Sequence, residues 1–182
     1  MCKEDYSRYD EIAGSYDTFF CDKESLEENS DVAKMLSQVS GKVYEIGCGT
    51  GLLTELIKVR PENYYGIDPS SAMLDKFMDK HYEYRHRVMQ DAFERENVDL
   101  NKFDWVISIF GSISYVEPKS LEKIANGEAH YFLMFYKPDY YPITYTLAGV
   151  DFYHYKHSRE TLESIFTGAS IEEFNNYLIV TK

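Results

Sequence analysis

Val43-Tyr44-Glu45-Ile46-Gly47-Cys48-Gly49-Thr50-Gly51 runs an apolar strand into three alternating glycines, and helical spacing begins at once with Leu52, Leu53, Leu56 and Ile57. Glycine lacks a Cβ, so the chain can turn tightly at positive φ and a ligand can approach the backbone closely. The helix that follows aims its unpaired N–H groups, and the positive end of its dipole, at the turn. Strand, glycine turn and helix in this order form a cradle.

The alternation continues downstream. Strands are expected at 42–47, 63–68, 84–89, 103–110 and 129–136, with helices at 51–59, 70–80 and 117–126. Strand 103–110 (FDWVISIF) is the most apolar and reads as central. After Pro138 the pattern changes. Residues 139–156 alternate with period two around Ala148-Gly149, as a β-hairpin insert does. Ser158 starts a helix over 159–167, and a terminal antiparallel hairpin turns at Asn175-Asn176. Repeated strand–helix alternation implies a mostly parallel sheet with helices on both faces, an α/β three-layer sandwich. Ligands of such sheets bind beyond the carboxyl ends of the strands.

Upstream, Tyr6, Tyr9, Ile12, Ala13, Tyr16, Phe19 and Phe20 recur every three to four residues over 4–20. They read as one or two short amphipathic helices interrupted at Gly14. Residues 25–39 form a further helix, with Ser25 and Glu28 as a capping box and Val32, Ala33, Leu36 and Val39 as its buried stripe. The expectation is a single domain over 1–182, with 1–40 as a helical cap and 137–157 as an insert on the substrate side.

A net charge of −12 argues against a phosphate-tracking surface, so nucleic acid is not the expected partner. Cys2, Cys21 and Cys48 are three, odd in number and unpatterned, which suggests a reducing, cytoplasmic setting. No stretch reads as a signal peptide or as a membrane span. Of the 17 tyrosines and 11 phenylalanines, most read as core and surface filler, while those of the N-terminal and 136–157 stretches supply material for an aromatic pocket.

Three ligand classes use such a glycine turn. A phosphate loop needs a Gly-Lys-Ser/Thr ending, but Leu52 and Leu53 follow Gly51. A dinucleotide fingerprint needs a third small residue where Leu52 stands. Asp68, at the end of the second strand, can accept from both hydroxyls of a free ribose and would repel a 2′-phosphate.

Glu45 to Gly51 resembles the first motif of class I S-adenosylmethionine-dependent methyltransferases. Gly66-Ile67-Asp68-Pro69-Ser70-Ser71-Ala72-Met73-Leu74 resembles their second motif, Gln90-Asp91-Ala92-Phe93 their third and Phe103 to Ile109 their fourth. The terminal hairpin is similar to the reversed last strand of that family's seven-stranded sheet. Tyr9-Asp10-Glu11-Ile12-Ala13, followed by Tyr16-Asp17, is similar to an N-terminal segment of its small-molecule members.

The resemblance implies S-adenosyl-L-methionine as cofactor and a role for each matching residue. Gly47, Gly49 and Gly51 would admit the methionine portion, and Glu45 would orient the loop and the ligand's ammonium. Asp68 would take the ribose and Asp91 the adenine amino group, with the Ala92 N–H on a ring nitrogen. Ile67, Pro69 and Phe93 would sandwich the adenine, the Ile109 end of strand four would offer a carbonyl, and Tyr16 or Tyr9 would close over the ligand. No metal cluster is expected. Methyl transfer needs a base only if the acceptor must first lose a proton; the candidates are His154, His157 and Tyr115.

Ile109-Phe110-Gly111-Ser112 stands where nucleic-acid amino-methyltransferases carry Asn/Asp-Pro-Pro-Tyr/Phe. A small-molecule acceptor, or a protein side chain, is therefore expected. The alternatives are a non-catalytic S-adenosylmethionine or S-adenosylhomocysteine binder, acting as a regulator or partner subunit, and an NAD-dependent oxidoreductase.

Overall fold

The computed structural model describes residues 8–140 and 142–182; Tyr6, the expected helical residues 4–7 and Cys2 lie outside them. The chain runs α1 (Arg8–Ile12), α2 (Lys23–Met35), β1 (Val43–Ile46), α3 (Leu52–Leu56), β2 (Tyr64–Asp68), α4 (Ser71–Lys80) and β3 (Val88–Gln90). It continues through β4 (Trp105–Ser108), α5 (Pro118–Ala125), β5 (His130–Tyr136), β6 (Thr144–Leu147), β7 (Val150–Tyr153), α6 (Arg159–Ile165), β8 (Ser170–Phe174) and β9 (Tyr177–Thr181). Seven strands form one sheet in the order β3-β2-β1-β4-β5-β9-β8, while β6 and β7 pair only with each other. The pairs from β3 to β5 are parallel. β9 runs antiparallel to both β5 and β8.

Strand β5 shows how the layers form. Tyr131, Leu133 and Phe135 enter the core on one face, under Leu121 and Ile124 of α5 and Leu162 of α6. Phe132, Met134 and Tyr136 enter the other, with Val32 of α2, Leu53 of α3 and Phe77 of α4. A strand covered on both faces needs apolar residues at every position, and each fully buried side chain of this size contributes about 1.5–3 kcal/mol. A third, smaller core joins Ile12 and Ala13, Met73 of α4 and Phe152 of β7. It fastens the N-terminal segment and the β6–β7 hairpin to each other. That hairpin turns through Ala148 and Gly149, both at positive φ, which matches the twist of the flanking strands. No helix among the described residues is long and apolar enough to cross a membrane.

The structure corrects several element boundaries. Helix α2 starts at Lys23, and its cap is Asp22, whose carboxylate accepts the Ser25 N–H at 3.0 Å. A carboxylate caps as well as serine and adds charge complementarity to the helix dipole. Glu28 closes no box; it accepts from Asn175 Nδ2 at 2.8 Å. Helix α3 has five residues, because Ile57 is already extended ahead of the β-branched Val59 and of Arg60-Pro61. The strand expected at 84–89 is β3 at 88–90. Tyr84 instead closes a 3₁₀ turn (Tyr82–Tyr84), with its ring packed edge-on to Tyr64 and Phe77. Strand β4 stops at Ser108, since Phe110 and Gly111 take φ of +51° and +87°.

Candidate functional site

The carboxyl ends of β1, β2, β3 and β4 meet at one edge of the sheet. From β1 the chain winds outward to β2 and β3, then returns to β4 on the other side. A crevice must open at such a reversal. A cleft of about 920 Å³, partly open to solvent, lies there. Residues from all four motif segments line it: Glu45, Gly47 and Gly49 after β1, Asp68 and Pro69 after β2, Asp91 and Ala92 after β3, and Ile109 after β4. Ile67, Phe93, Tyr9, Tyr16 and Tyr115 line it as well.

The glycine turn is built by close contacts. The N–H groups of Gly47 and Cys48 both donate to the Ile67 carbonyl at 2.9 Å, folding the turn onto β2. A Cβ on Gly47, at φ +72°, would stand 2.4 Å from Ser112 Cβ. A Cβ on Gly49 would meet nothing within 4 Å, so its open side faces the cleft. Gly51 does not line the cleft. A Cβ there would strike His81 and Phe77, so this glycine serves the turn and the seating of α3 against α4.

Three carboxylates occupy different environments. Glu45 is fully buried and accepts from the Tyr64 hydroxyl. Burial pushes its carboxyl well above the usual range, the Tyr64 hydrogen bond opposes this, and the Asp68 charge adds to it. Asp68 accepts the N–H groups of Ser70 and Gly49, each at 2.9 Å. Burial lifts it to about 6, against those two hydrogen bonds and with a smaller push from Asp10. Asp91 Oδ1 accepts the Ala92 N–H at 2.7 Å and Arg95 Nε at 3.2 Å. The two groups expected to share an adenine are therefore bonded to each other.

The expected base candidates fall apart spatially. Neither His154 nor His157 lines the cleft. Both His154 nitrogens face carbonyl oxygens at 2.9 Å, those of Tyr155 and Pro142. His157 is buried against Phe135, and among the described residues neither of its nitrogens makes a hydrogen bond of good geometry, although the backbone of Ser114 and Val116 partly favours its charged form. Burial pushes it down to about 4. Tyr115 does line the cleft, but burial raises its hydroxyl far above the ordinary phenol value. That hydroxyl accepts from Tyr9 at 3.0 Å and lies 2.7 Å from the Tyr145 hydroxyl, which is 3.4 Å from that of Tyr136. Four segments thus bring four phenols together, of which Tyr9 and Tyr115 line the cleft.

Sequence reasoning missed the fastening of the N-terminal segment. Asp10 accepts from Ser70 Oγ at 2.6 Å and from the Ala72 N–H at 3.0 Å, capping α4 from outside. Asp17 accepts from Thr50 Oγ1 at 2.6 Å and pairs with Lys80 at 3.0 Å. Tyr9 and Tyr16, next to these aspartates in sequence, turn toward the cleft. The repeated Tyr-Asp pair, seven residues apart, was the available signal. Tyr136 and Tyr145 belong to the aromatic 136–157 stretch expected to line a pocket, but nothing local in the sequence singles out these two.

Residues 43–130 match the family model described as "Methyltransferase domain". No curated protein matches the chain. Among solved structures, it is similar to the CcbJ methyltransferase from Streptomyces caelestis, with TM-score 0.72, 13% identity and 98% of each chain covered. It is also similar to the DhpI complex with S-adenosylhomocysteine, with TM-score 0.65, 17% identity, and 97% of this chain and 93% of that one covered. An S-adenosylmethionine-bound amino pentose methyltransferase from Micromonospora echinaspora gives TM-score 0.64 at 15% identity, covering 85% of this chain and 89% of that one. At these identities the likeness is one of fold.

Proposed function

We propose a function from one premise: the chain belongs to the class I S-adenosylmethionine-dependent methyltransferases, by its methyltransferase-domain match and its fold. On our reading it is a single-domain enzyme that transfers a methyl group from S-adenosylmethionine to a small-molecule acceptor. The observation that carries this is the convergence of four separated sequence segments on one cleft at the β1/β4 reversal. The residues fit the cofactor. Gly49 is open where a side chain would intrude, and Asp68 is a buried carboxylate at the end of β2.

We assign Asp68 to the ribose hydroxyls. Asp91 would hold the adenine amino group and the Ala92 N–H a ring nitrogen, in place of the bond these two make to each other. Ile67, Pro69 and Phe93 form the walls of the adenine slot. Gly47, Gly49 and the Ile109 carbonyl line the amino-acid end, with Glu45 beneath, and Tyr16 and Tyr9 form the cover. Bound S-adenosylmethionine supplies an already activated methyl group. The protein's part is alignment and exclusion of water, and the Tyr9–Tyr16 cover suits both. The N-terminal segment and residues 137–157 form the acceptor side. The amino pentose acceptor of one structural relative is in keeping with a small molecule here.

One observation favours a second reading, a non-catalytic binder: no histidine lines the cleft and the Tyr115 hydroxyl is engaged with other phenols. Calorimetric titration with S-adenosylhomocysteine, followed by turnover of S-adenosylmethionine with an acceptor panel, tests both readings. Binding without any turnover would favour the second.

A further inference from the structure

A second cavity, about 2520 Å³ and open to solvent, continues from the first; Tyr9, Tyr16, Thr50, Leu52 and Phe110 line both. It reaches between α2 and the β6–β7 hairpin as far as the β8–β9 turn. Its inner wall is aromatic, with Tyr136, Tyr145 and Tyr177 joining Tyr9, Tyr16 and Phe110. Among the described residues its outer wall holds seven carboxylates, including Asp17, Glu24, Glu28 and Glu55, and one cation, Lys80. Lys80 is shared between Asp17 at 3.0 Å and Glu55 at 3.2 Å, so the groove keeps a negative field.

We propose that the acceptor is a small amine, drawn as its ammonium ion along this groove and methylated on nitrogen at the tyrosine-lined end. This rests on the methyltransferase reading above and names the acceptor class for the same site.

Three features of the groove favour an amine over other nucleophiles. The carboxylate wall attracts a cation and repels carboxylate or phosphate acceptors. Aromatic faces attract a cation that has shed its water. A hydroxyl acceptor needs a base at the reacting end, where burial holds the Tyr9, Tyr115 and Tyr136 hydroxyls protonated and His154 is engaged with two carbonyls. An amine needs none of these groups, because it gives its proton to water in the open groove.

The step balances. The ammonium loses one proton to water, and the nitrogen lone pair forms the new N–C bond. The C–S bond breaks with its electron pair left on sulfur, giving a methylated ammonium ion and a neutral thioether. Positive charge passes from sulfur to nitrogen without disappearing, so the same aromatic and acidic walls suit donor, acceptor and product. For an anionic acceptor they would oppose binding.

Binding to the full-length protein, saturated with S-adenosylhomocysteine, tests this without the native acceptor. The probes are benzylammonium, benzyl alcohol and benzoate, followed by saturation-transfer NMR and calorimetry. Benzylammonium should bind about tenfold more tightly than the alcohol, and benzoate more weakly than either. The double variant Glu24→Gln/Glu28→Gln, shown folded by circular dichroism, should lose most of that preference. Equal binding of cation and alcohol, no binding of the cation, a preference for benzoate, or an undiminished preference in the double variant would each overturn the inference. Tighter binding of a short peptide with a free lysine side chain and a blocked N-terminus than of benzylammonium would overturn the small-molecule assignment. The prior titration with S-adenosylhomocysteine separates the two levels: failure there sinks the cofactor reading, whereas failure of the probes alone sinks only the amine.

Discussion

Asp68 Oδ2 accepts the Gly49 N–H at 2.9 Å, so the carboxylate ending β2 holds the turn that follows β1. The same carboxylate is the proposed ribose ligand, and burial has raised it to about 6. Ribose hydroxyls donate to the ionised form, so binding favours loss of the proton. Affinity for S-adenosylhomocysteine should therefore fall as pH drops through about 6, approaching one log unit per pH unit below it. Asp68→Asn should bind more weakly with no such slope. Calorimetry between pH 8 and 5 checks this, and a flat wild-type profile would speak against it.

Asp91 makes a second, independent prediction. Its carboxylate now holds the Ala92 N–H and Arg95, and on the proposed assignment adenine takes over the first of these bonds. Wild-type protein should prefer S-adenosylhomocysteine to S-inosylhomocysteine, which carries a carbonyl in place of the amino group, by about tenfold. Asp91→Ala should bind the two equally. A preference that survives the substitution would place the adenine elsewhere.

The glycine turn and the order of the strands were legible because both are local. Three glycines after an apolar strand, and alternating apolar runs, carry their geometry in neighbouring residues. Asp68 and Asp91 were legible because each ends a strand. The four-phenol cluster was not, since Tyr9, Tyr115, Tyr136 and Tyr145 come from segments that only the tertiary fold joins. The Asp22 cap was hidden by a neighbouring Ser25 with an equally good local pattern. His154 and His157 looked alike in sequence; packing set two carbonyls against the nitrogens of one and buried the other beside Phe135.

Two glycine substitutions should separate fold from binding. A Cβ on Gly111, at φ +87°, would stand 2.2 Å from the Tyr136 ring. Gly111→Ala should cost about 2–4 kcal/mol through strain and overpacking together. A Cβ on Gly49 meets open space, so Gly49→Ala should cost only about 1–2 kcal/mol of stability yet weaken S-adenosylhomocysteine markedly. Urea denaturation and titration of both variants measure the contrast. Equal loss of binding per unit of stability would remove the distinction.

Buried His157 and Asp68 tilt stability with pH in opposite directions. His157, lowered to about 4, contributes stability above about pH 6.5 that is lost as pH falls toward 4, up to roughly 3 kcal/mol. Asp68, raised to about 6, contributes stability below its unfolded value that is lost as pH rises through 6. The two offset each other in the wild type. His157→Leu removes one, so the variant should gain about 2–3 kcal/mol relative to wild type between pH 7 and 4.5. Denaturation at the two pH values reads this directly, and a constant difference would mean that His157 is not buried neutral.

The central claim is that the glycine turn, Asp68 and Asp91 together hold S-adenosylmethionine. Calorimetric titration of the wild-type chain with S-adenosylhomocysteine and, separately, with NAD tests it most directly. The account predicts one saturable site for S-adenosylhomocysteine, weakened at least tenfold by Asp68→Ala, and no binding of NAD. Binding of NAD with none of S-adenosylhomocysteine would contradict it.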